Sequence, residues 1–198
     1  MTKTINLIFA GVGGQGVLLI AEITALTAVR VGYDVKQTEV HGVSQRGGSV
    51  ESHVRYGEVV HSPLVTGGQA DVVVGLEKLE GLRYANFARP ETGVVLVNDH
   101  EIIPGSVANA VDRYPHNSIE FLRDKGVRVV AVPASKLALD LGDGRMANIV
   151  LLGALSMLLD LPIEAWQETL KAKLPAKYRD ANLRAFEVGR EALIANRV

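Results

Sequence analysis

Near its start the chain passes from an apolar run into a glycine-rich turn and then into a segment with helical periodicity. The apolar run spans residues 4–10 and predicts a buried strand. Apolar side chains then recur at helical spacing from residue 14 or 15 to residue 30, and Gly32 offers a stop. Because a strand, a tight turn and a helix in this order begin a β-α-β unit, we expect a sheet with helices packed on it.

The alternation of strands and helices continues through the first two thirds of the chain. Further strands are predicted over residues 34–40, 49–56, 71–76, 93–97 and 127–132, with helices over residues 79–87 and 116–125. After Pro133 the predicted elements are helices, over residues 135–141, 147–159, 163–172 and 181–195. The strict alternation over residues 49–56 indicates a half-exposed strand, and residues 59–61 form a possible short return strand.

No internal repeat and no linker long enough to divide domains interrupts this pattern. Residues 1–198 are therefore predicted to form a single α/β domain. Its expected architecture is a three-layer α/β/α arrangement with a largely parallel sheet and a helical C-terminal third.

The composition excludes several classes of chemistry. The chain has no cysteine, so disulfides, thiolate zinc sites, iron–sulfur ligation and a cysteine nucleophile are absent. With 21 basic and 22 acidic residues and no basic run, nucleic acid is not an expected ligand. The five histidines lack metal-ligand spacing, so no metal site is predicted. No export signal is visible and every apolar stretch is shorter than the ~20 residues of a spanning helix, so we expect a cytoplasmic protein outside the membrane.

The first glycine motif, residues 11–16, matches G-x-G-x-x-G between a predicted strand and a predicted helix. Glycines allow close backbone approach, and the free N–H groups of the helix start favour an anion. The candidate cofactor-binding residues here are Gly11, Gly13, Gly14, Gln15 and Gly16. In the dinucleotide alternative, Glu39 near the end of the second strand binds a ribose; in the plainer alternative, the glycines only allow a tight turn.

The second glycine motif follows the second predicted strand and is less generic. The guanidinium of Arg46, beside flexible glycines and polar side chains, is suited to bind a carboxylate, a phosphate or a docking loop on another chain. Its candidate cofactor-binding residues are Ser44, Gln45, Arg46, Gly47, Gly48 and Ser49. The alternative is an exposed hairpin-like connection without a ligand.

Three weaker signals have structural explanations as well as functional ones. Glu77 directly follows the strand predicted over residues 71–76, and either faces a ligand or belongs to the first turn of the next helix. Residues 142–144 terminate a helix, and Trp166 belongs to a helix core. No serine lies in a nucleophile elbow, so no catalytic residue is predicted in this chain.

A family resemblance rests on two motifs, GVGGQGV at residues 11–17 and HGVSQRGGSV at residues 41–50. With residues 53–55 they resemble the small γ-type subunits of 2-oxoacid:ferredoxin oxidoreductases, and most closely the indolepyruvate oxidoreductase branch, where the subunit is called beta. Residues 62–64, 77–84 and 147–155 also resemble that branch, and the similarity continues more weakly over residues 182–189.

The resemblance implies a subunit of a complex that oxidatively decarboxylates aryl 2-oxoacids such as indolepyruvate to acyl-CoA while reducing ferredoxin. It implies that thiamine diphosphate, magnesium and the iron–sulfur clusters belong to a large partner subunit, which agrees with the lack of cysteine here. The two glycine motifs would lie near the subunit interface and near coenzyme A or the cofactor. The isolated chain is therefore expected to be inactive.

Two other functions stay open on the sequence alone. One is an autonomous NAD(P)-dependent dehydrogenase of Rossmann type, built on Gly11, Gly13, Gly16 and Glu39. The other is a nucleotide-sensing or scaffold module with no reaction of its own.

Overall fold

The computed structural model describes residues 4–41, 48–103 and 113–195. Six strands in these ranges form one sheet. The strands are β1 Ile5–Val12, β2 Asp34–His41, β3 Ser49–Gly57, β4 Val72–Gly75, β5 Val94–Asn98 and β6 Arg128–Val132. Each of the six longer strands predicted from the sequence is present, and their ends differ by a few residues at most. The short return strand at residues 59–61 is not formed.

Seven α-helices accompany the sheet in the described ranges. They are α1 Val17–Val31, α2 Lys78–Tyr84, α3 Ser118–Asp124, α4 Ala134–Asp140, α5 Ala147–Ser156, α6 Ile163–Lys173 and α7 Arg179–Ala195. The helical C-terminal third is confirmed. Within the same ranges, no helix has the length and apolar character needed to cross a membrane.

The sheet has the strand order β2-β3-β1-β4-β5-β6. Strands β1, β4, β5 and β6 are parallel to one another, whereas β3 runs antiparallel to both of its neighbours, β1 and β2. The prediction of a largely parallel sheet is confirmed. The antiparallel exception arises because β3 returns directly beside β2 and inserts between β2 and β1.

The prediction that β3 is half exposed is wrong, because this strand lies inside the sheet and both of its faces are covered. Val54 and Tyr56 are buried in the core on the side of α1. On the other face, the connection after β3 covers the polar side chains. Val65 N donates a hydrogen bond to His53 Nδ1 at 3.0 Å, and Arg55 donates to the carbonyl oxygen of Ser62 at 2.9 Å.

Two hydrophobic cores lie on opposite faces of the sheet, so the sheet and the helices on either side of it form three layers. The larger core joins one face of the sheet to α1, α4, α5, α6 and α7, and Trp166 and Phe186 are fully buried in it. The smaller core joins the opposite face to α2 and α3 through residues such as Ile119 and Leu122. The predicted α/β/α layering is therefore confirmed, as is the placement of Trp166 in the core.

Candidate functional site

A cleft opens at the carboxyl ends of β1, β4 and β5. From β1 the chain crosses through α1 toward β2, whereas from β4 it crosses through α2 toward β5, so the connections diverge between β1 and β4. Open α/β sheets bind ligands at such a divergence. The cleft has a volume of about 390 Å³. Its lining residues are Gly14, Gln15, Gly16, Leu76, Asn98, His100, Ile102, Ser135, Gly144, Arg145, Ala147, Asn148 and Leu151.

The first glycine motif forms one wall of this cleft. Gly14 and Gly16 have positive φ values of 97° and 80°, in the left-handed region that other residues adopt at a cost. A Cβ on Gly16 would lie 2.2 Å from Asn148 Nδ2, so glycine also lets α5 approach the turn. The tight turn that the sequence predicted is therefore present, and it faces a cleft.

Gln15 ties the ends of two neighbouring strands together. Its Oε1 accepts a hydrogen bond from Val12 N at 2.7 Å, and its Nε2 donates to the carbonyl oxygen of Leu76 at 3.1 Å. Both polar atoms of the side chain are used in this way. Gln15 therefore lines the cleft while it holds β1 and β4 in position.

The N-terminus of α1 has no capping side chain. Its N-cap residue is Gly16, which has no side chain to accept a hydrogen bond from the first turn. The first N–H groups of a helix lack partners within the helix, and together with the helix dipole they attract an anion. The wall that begins at Gly14 is therefore suited to a negatively charged group.

The described end of the second glycine motif adjoins the first motif. Gly13 N donates a hydrogen bond to the carbonyl oxygen of Gly48 at 2.9 Å, and Val12 pairs with Ser49 across β1 and β3. Ser49 Oγ donates to Glu80 Oε2 at 2.5 Å, so this hydroxyl is directed toward α2 and does not line the cleft. The candidates Ser44, Gln45, Arg46 and Gly47 lie outside the described residues.

Glu77 has a structural role at the start of α2. It is the N-cap residue, and its Oε1 accepts a hydrogen bond from Glu80 N. Tyr114 donates its phenolic hydroxyl to Glu77 Oε2 at 2.9 Å, and burial followed by this hydrogen bond raises the pKa of Tyr114. Since Glu77 is buried and does not line the cleft, the interpretation as a residue of the helix start is the correct one.

Asn98 and Asn148 also line the cleft, and no sequence motif pointed to them. Asn98 Nδ2 donates to the carbonyl oxygen of Leu76 at 3.1 Å and to Ser135 Oγ at 2.9 Å, and its Oδ1 accepts from Ser135 N. Asn148 is 8% exposed; its Oδ1 accepts from Ile149 N, and its Nδ2 has no acceptor within the described ranges. The position of Asn98 at the end of a strand was the signal available for it.

Arg145 lines the cleft, and Lys78 adjoins it because its backbone N–H donates to the carbonyl oxygen of the lining residue His100. Arg145 is exposed and forms a two-point ion pair with Asp143, whose pKa is lowered to about 2 by the hydrogen bonds from this side chain. Lys78 lies 2.9 Å from Asp99, and this hydrogen bond raises the pKa of Lys78. In residues 4–41, 48–103 and 113–195, no group of three or more histidine and carboxylate side chains is arranged to hold a metal ion.

The strand order argues against the dinucleotide alternative. Glu39 lies on β2, and β3 separates β2 from the strand that carries the first glycine motif. An acid that binds the ribose of a dinucleotide has to lie on the strand next to the glycine turn. Here Glu39 is two inter-strand spacings away, about 10 Å, so it is not placed for that role.

Comparison with known proteins identifies relatives along the whole chain. A sequence model for the family described as "Pyruvate ferredoxin/flavodoxin oxidoreductase" matches residues 6–192. The indolepyruvate oxidoreductase subunit IorB of Archaeoglobus fulgidus is 40% identical over 197 residues, which cover 98% of this chain and 97% of the relative. The subunit IorB of Thermococcus kodakarensis is 39% identical over 197 residues, covering 96% of each chain.

Solved structures share the fold. The gamma subunit of the keto/oxoacid ferredoxin oxidoreductase from Geobacter sulfurreducens superposes with a TM-score of 0.71 at 27% identity, covering 96% of this chain and 99% of that subunit. The 2-oxoglutarate:ferredoxin oxidoreductase from Magnetococcus marinus, solved with 2-oxoglutarate, coenzyme A and succinyl-CoA bound, gives a TM-score of 0.75 at 23% identity. It matches 98% of this chain but only 32% of its own, so the same fold also occurs as part of a longer chain.

Proposed function

This chain belongs to the pyruvate ferredoxin/flavodoxin oxidoreductase family, and on that premise we propose that it is the small subunit of an indolepyruvate:ferredoxin oxidoreductase. In the proposed reaction an aryl 2-oxoacid loses its carboxylate as CO₂, its acyl carbon forms a thioester with coenzyme A, and the released electron pair reduces ferredoxin. The supporting observation is the end-to-end similarity to IorB subunits at 39% and 40% identity.

We propose that the redox and decarboxylation groups belong to a large partner subunit in the cytoplasm. With no cysteine, this chain has no thiolate with which to ligate an iron–sulfur cluster. Thiamine diphosphate with magnesium, bound by the partner, would supply the carbanion stabilisation that decarboxylation requires. The small subunit then contributes binding surface, and the described face that best suits that role is the cleft with the two adjoining glycine motifs.

The same cleft is our candidate contact for coenzyme A. The bound coenzyme A of the Magnetococcus marinus enzyme suggests this ligand. Coenzyme A is a polyanion, and the cleft combines the start of α1, whose N-cap is a glycine, with the side chains of Arg145 and Asn148. In this proposal the first motif, Gly11, Gly13, Gly14, Gln15 and Gly16, holds a phosphate where it lines the cleft, through the backbone of Gly14 and Gly16. The second motif, Ser44, Gln45, Arg46, Gly47, Gly48 and Ser49, completes the site or contacts the partner.

A reconstitution experiment tests the proposed function. The chain and a candidate large subunit from the same organism are expressed separately and together, and reduction of ferredoxin is followed with indolepyruvate and coenzyme A. We expect turnover only from the reconstituted complex. Turnover by this chain alone, or failure of the two chains to co-purify, would contradict the proposal.

Ligand titrations distinguish the cleft proposal from the dinucleotide alternative. We expect the complex containing Arg145→Gln to require a higher concentration of coenzyme A, with a KM raised about tenfold for the loss of one charge-assisted contact. The matched control is Arg123→Gln, an exposed arginine of α3 that does not line the cleft. Tight binding of NADH to the chain, measured by fluorescence, would favour the alternative.

A further inference from the structure

A second cavity lies at the opposite end of the sheet, beside the amino ends of the parallel strands. Its volume is about 490 Å³, and residues at the starts of three strands, Ile5, Val72 and Val94, line it. It shares no lining residue with the cleft at the carboxyl ends. The proposed function makes no use of this cavity.

Aromatic and aliphatic side chains form most of its walls. The rings of Tyr33 and Tyr56 pack against each other with centroids 5.3 Å apart, and Tyr56 is 3% exposed. The partly buried side chains of Leu158 and Leu159 line another part of the cavity. Walls of this kind accommodate a bulky apolar or aromatic group.

Two residues of opposite charge also line this cavity. Arg128 begins β6, and Asp160 lies between α5 and α6; both are exposed. Within residues 4–41, 48–103 and 113–195, neither side chain has a hydrogen bond or an ion pair, and the two do not pair with each other. A third charged residue, Asp71, is already bound by Asn6 N at 3.0 Å.

We propose that this cavity binds a free α-amino acid with a large apolar or aromatic side chain. The Arg128 guanidinium pairs with the ligand carboxylate, Asp160 accepts hydrogen bonds from its ammonium group, and the side chain packs against Tyr33 and Tyr56. A purely apolar ligand would make no contact with these two charges. A phosphate-bearing ligand would be repelled by Asp71 and Asp160.

Calorimetric titration of the full chain with four probes tests which parts of the ligand are recognised. L-phenylalanine carries all three features, 3-phenylpropionate lacks the ammonium group, 2-phenylethylamine lacks the carboxylate, and glycine lacks the side chain. We expect L-phenylalanine to bind and each truncated probe to bind at least about tenfold more weakly, since each loses one set of contacts.

Charge-neutral variants identify the residues responsible. Arg128→Gln should weaken L-phenylalanine at least about tenfold but leave 2-phenylethylamine unchanged, and Asp160→Asn should do the same while leaving 3-phenylpropionate unchanged. The controls Arg123→Gln and Asp140→Asn alter exposed charges that do not line this cavity, and should bind like the native chain. Thermal unfolding of each variant verifies that it is folded.

Three results would overturn the proposal. They are no binding of L-phenylalanine to the native chain, equal affinity for L-phenylalanine and 2-phenylethylamine, or an equal loss of affinity in the control variants. The probe series on the native chain gives its answer even where a variant fails to fold. Because the two cavities have separate linings, failure here leaves the coenzyme A proposal untouched, and the reverse also holds.

Discussion

The two ends of the sheet present different kinds of cavity. At the carboxyl ends, the backbone of the first glycine motif and the open start of α1 face the cleft, while the side chain of Gln15 is used to join β1 and β4. At the amino ends, the exposed side chains of Arg128 and Asp160 provide the charged groups. The site at the carboxyl ends can be predicted from a short motif because contiguous residues encode a backbone site. The site at the amino ends cannot, because its side chains come from distant segments.

The largest expected effect comes from Gly16→Ala, which changes the glycine turn that forms the backbone site. An alanine at this position would have to adopt a φ of 80°, and its Cβ would lie 2.2 Å from Asn148 Nδ2. We expect a loss of about 2–3 kcal/mol in the free energy of unfolding, from left-handed strain and overpacking together. Urea denaturation measures this, and the coenzyme A KM of the complex should rise as well.

Gly14→Ala is the matched control for that change. Gly14 also has a positive φ, 97°, but a Cβ there would have open space around it. It should lose only the backbone term, about 1 kcal/mol. Equal losses in the two variants would show that the approach of Asn148 to Gly16 contributes nothing.

Gln15→Leu tests whether this side chain stabilises the cleft or only borders it. The substitution leaves Val12 N without its acceptor, whereas the Leu76 carbonyl oxygen keeps the hydrogen bond from Asn98. We expect the free energy of unfolding to fall by about 1–2 kcal/mol, the cost of one unsatisfied, partly buried N–H group. Gln15→Glu keeps an acceptor for Val12 N, so its stability loss should be smaller, while its negative charge should weaken coenzyme A binding. Stability unchanged in Gln15→Leu would refute this role.

Glu77→Ala separates stability from binding at the same end of the sheet. Removing the N-cap of α2 and the acceptor of the Tyr114 hydroxyl should together cost about 2 kcal/mol in urea denaturation. The coenzyme A KM should stay at the native value, because Glu77 does not line the cleft. A raised KM with native stability would contradict this and would indicate that Glu77 contacts the ligand.

The smallest expected effect is on the pH dependence of stability, and it comes from His53, which lines neither cavity. Burial lowers the pKa of His53 below its ordinary value of 6.5, so below pH 6.5 the unfolded chain binds a proton more readily than the folded one. Stability should therefore fall as the pH drops below that value. His53→Gln should flatten the profile measured by urea denaturation from about pH 8 to about pH 5. His61→Gln, at an exposed histidine, should keep the native slope.

Local patterns predicted most elements because each depends on neighbouring residues. Gly142, with φ of 100°, follows the C-cap of α4 as a helix terminator, as predicted, and Leu151, Leu152 and Leu155 of α5 are fully buried. The prediction that β3 is half exposed was wrong, because alternating polar side chains face solvent only when no other part of the chain covers them. His53 and Arg55 are covered by a loop whose position the local pattern does not encode. That residues 1–198 form one domain stays a prediction.

The sequence by itself determined the layered α/β architecture, the glycine turn at the end of β1 and the family to which the chain belongs, because periodicity and motifs are properties of contiguous residues. Only the tertiary structure decided that β3 separates β2 from β1, which removes Glu39 from the glycine turn. It also decided that Asn98, Asn148 and Arg145 face one cleft and that Arg128 and Asp160 share another. Strand order and the meeting of distant side chains depend on long-range packing, and no local pattern specifies that packing.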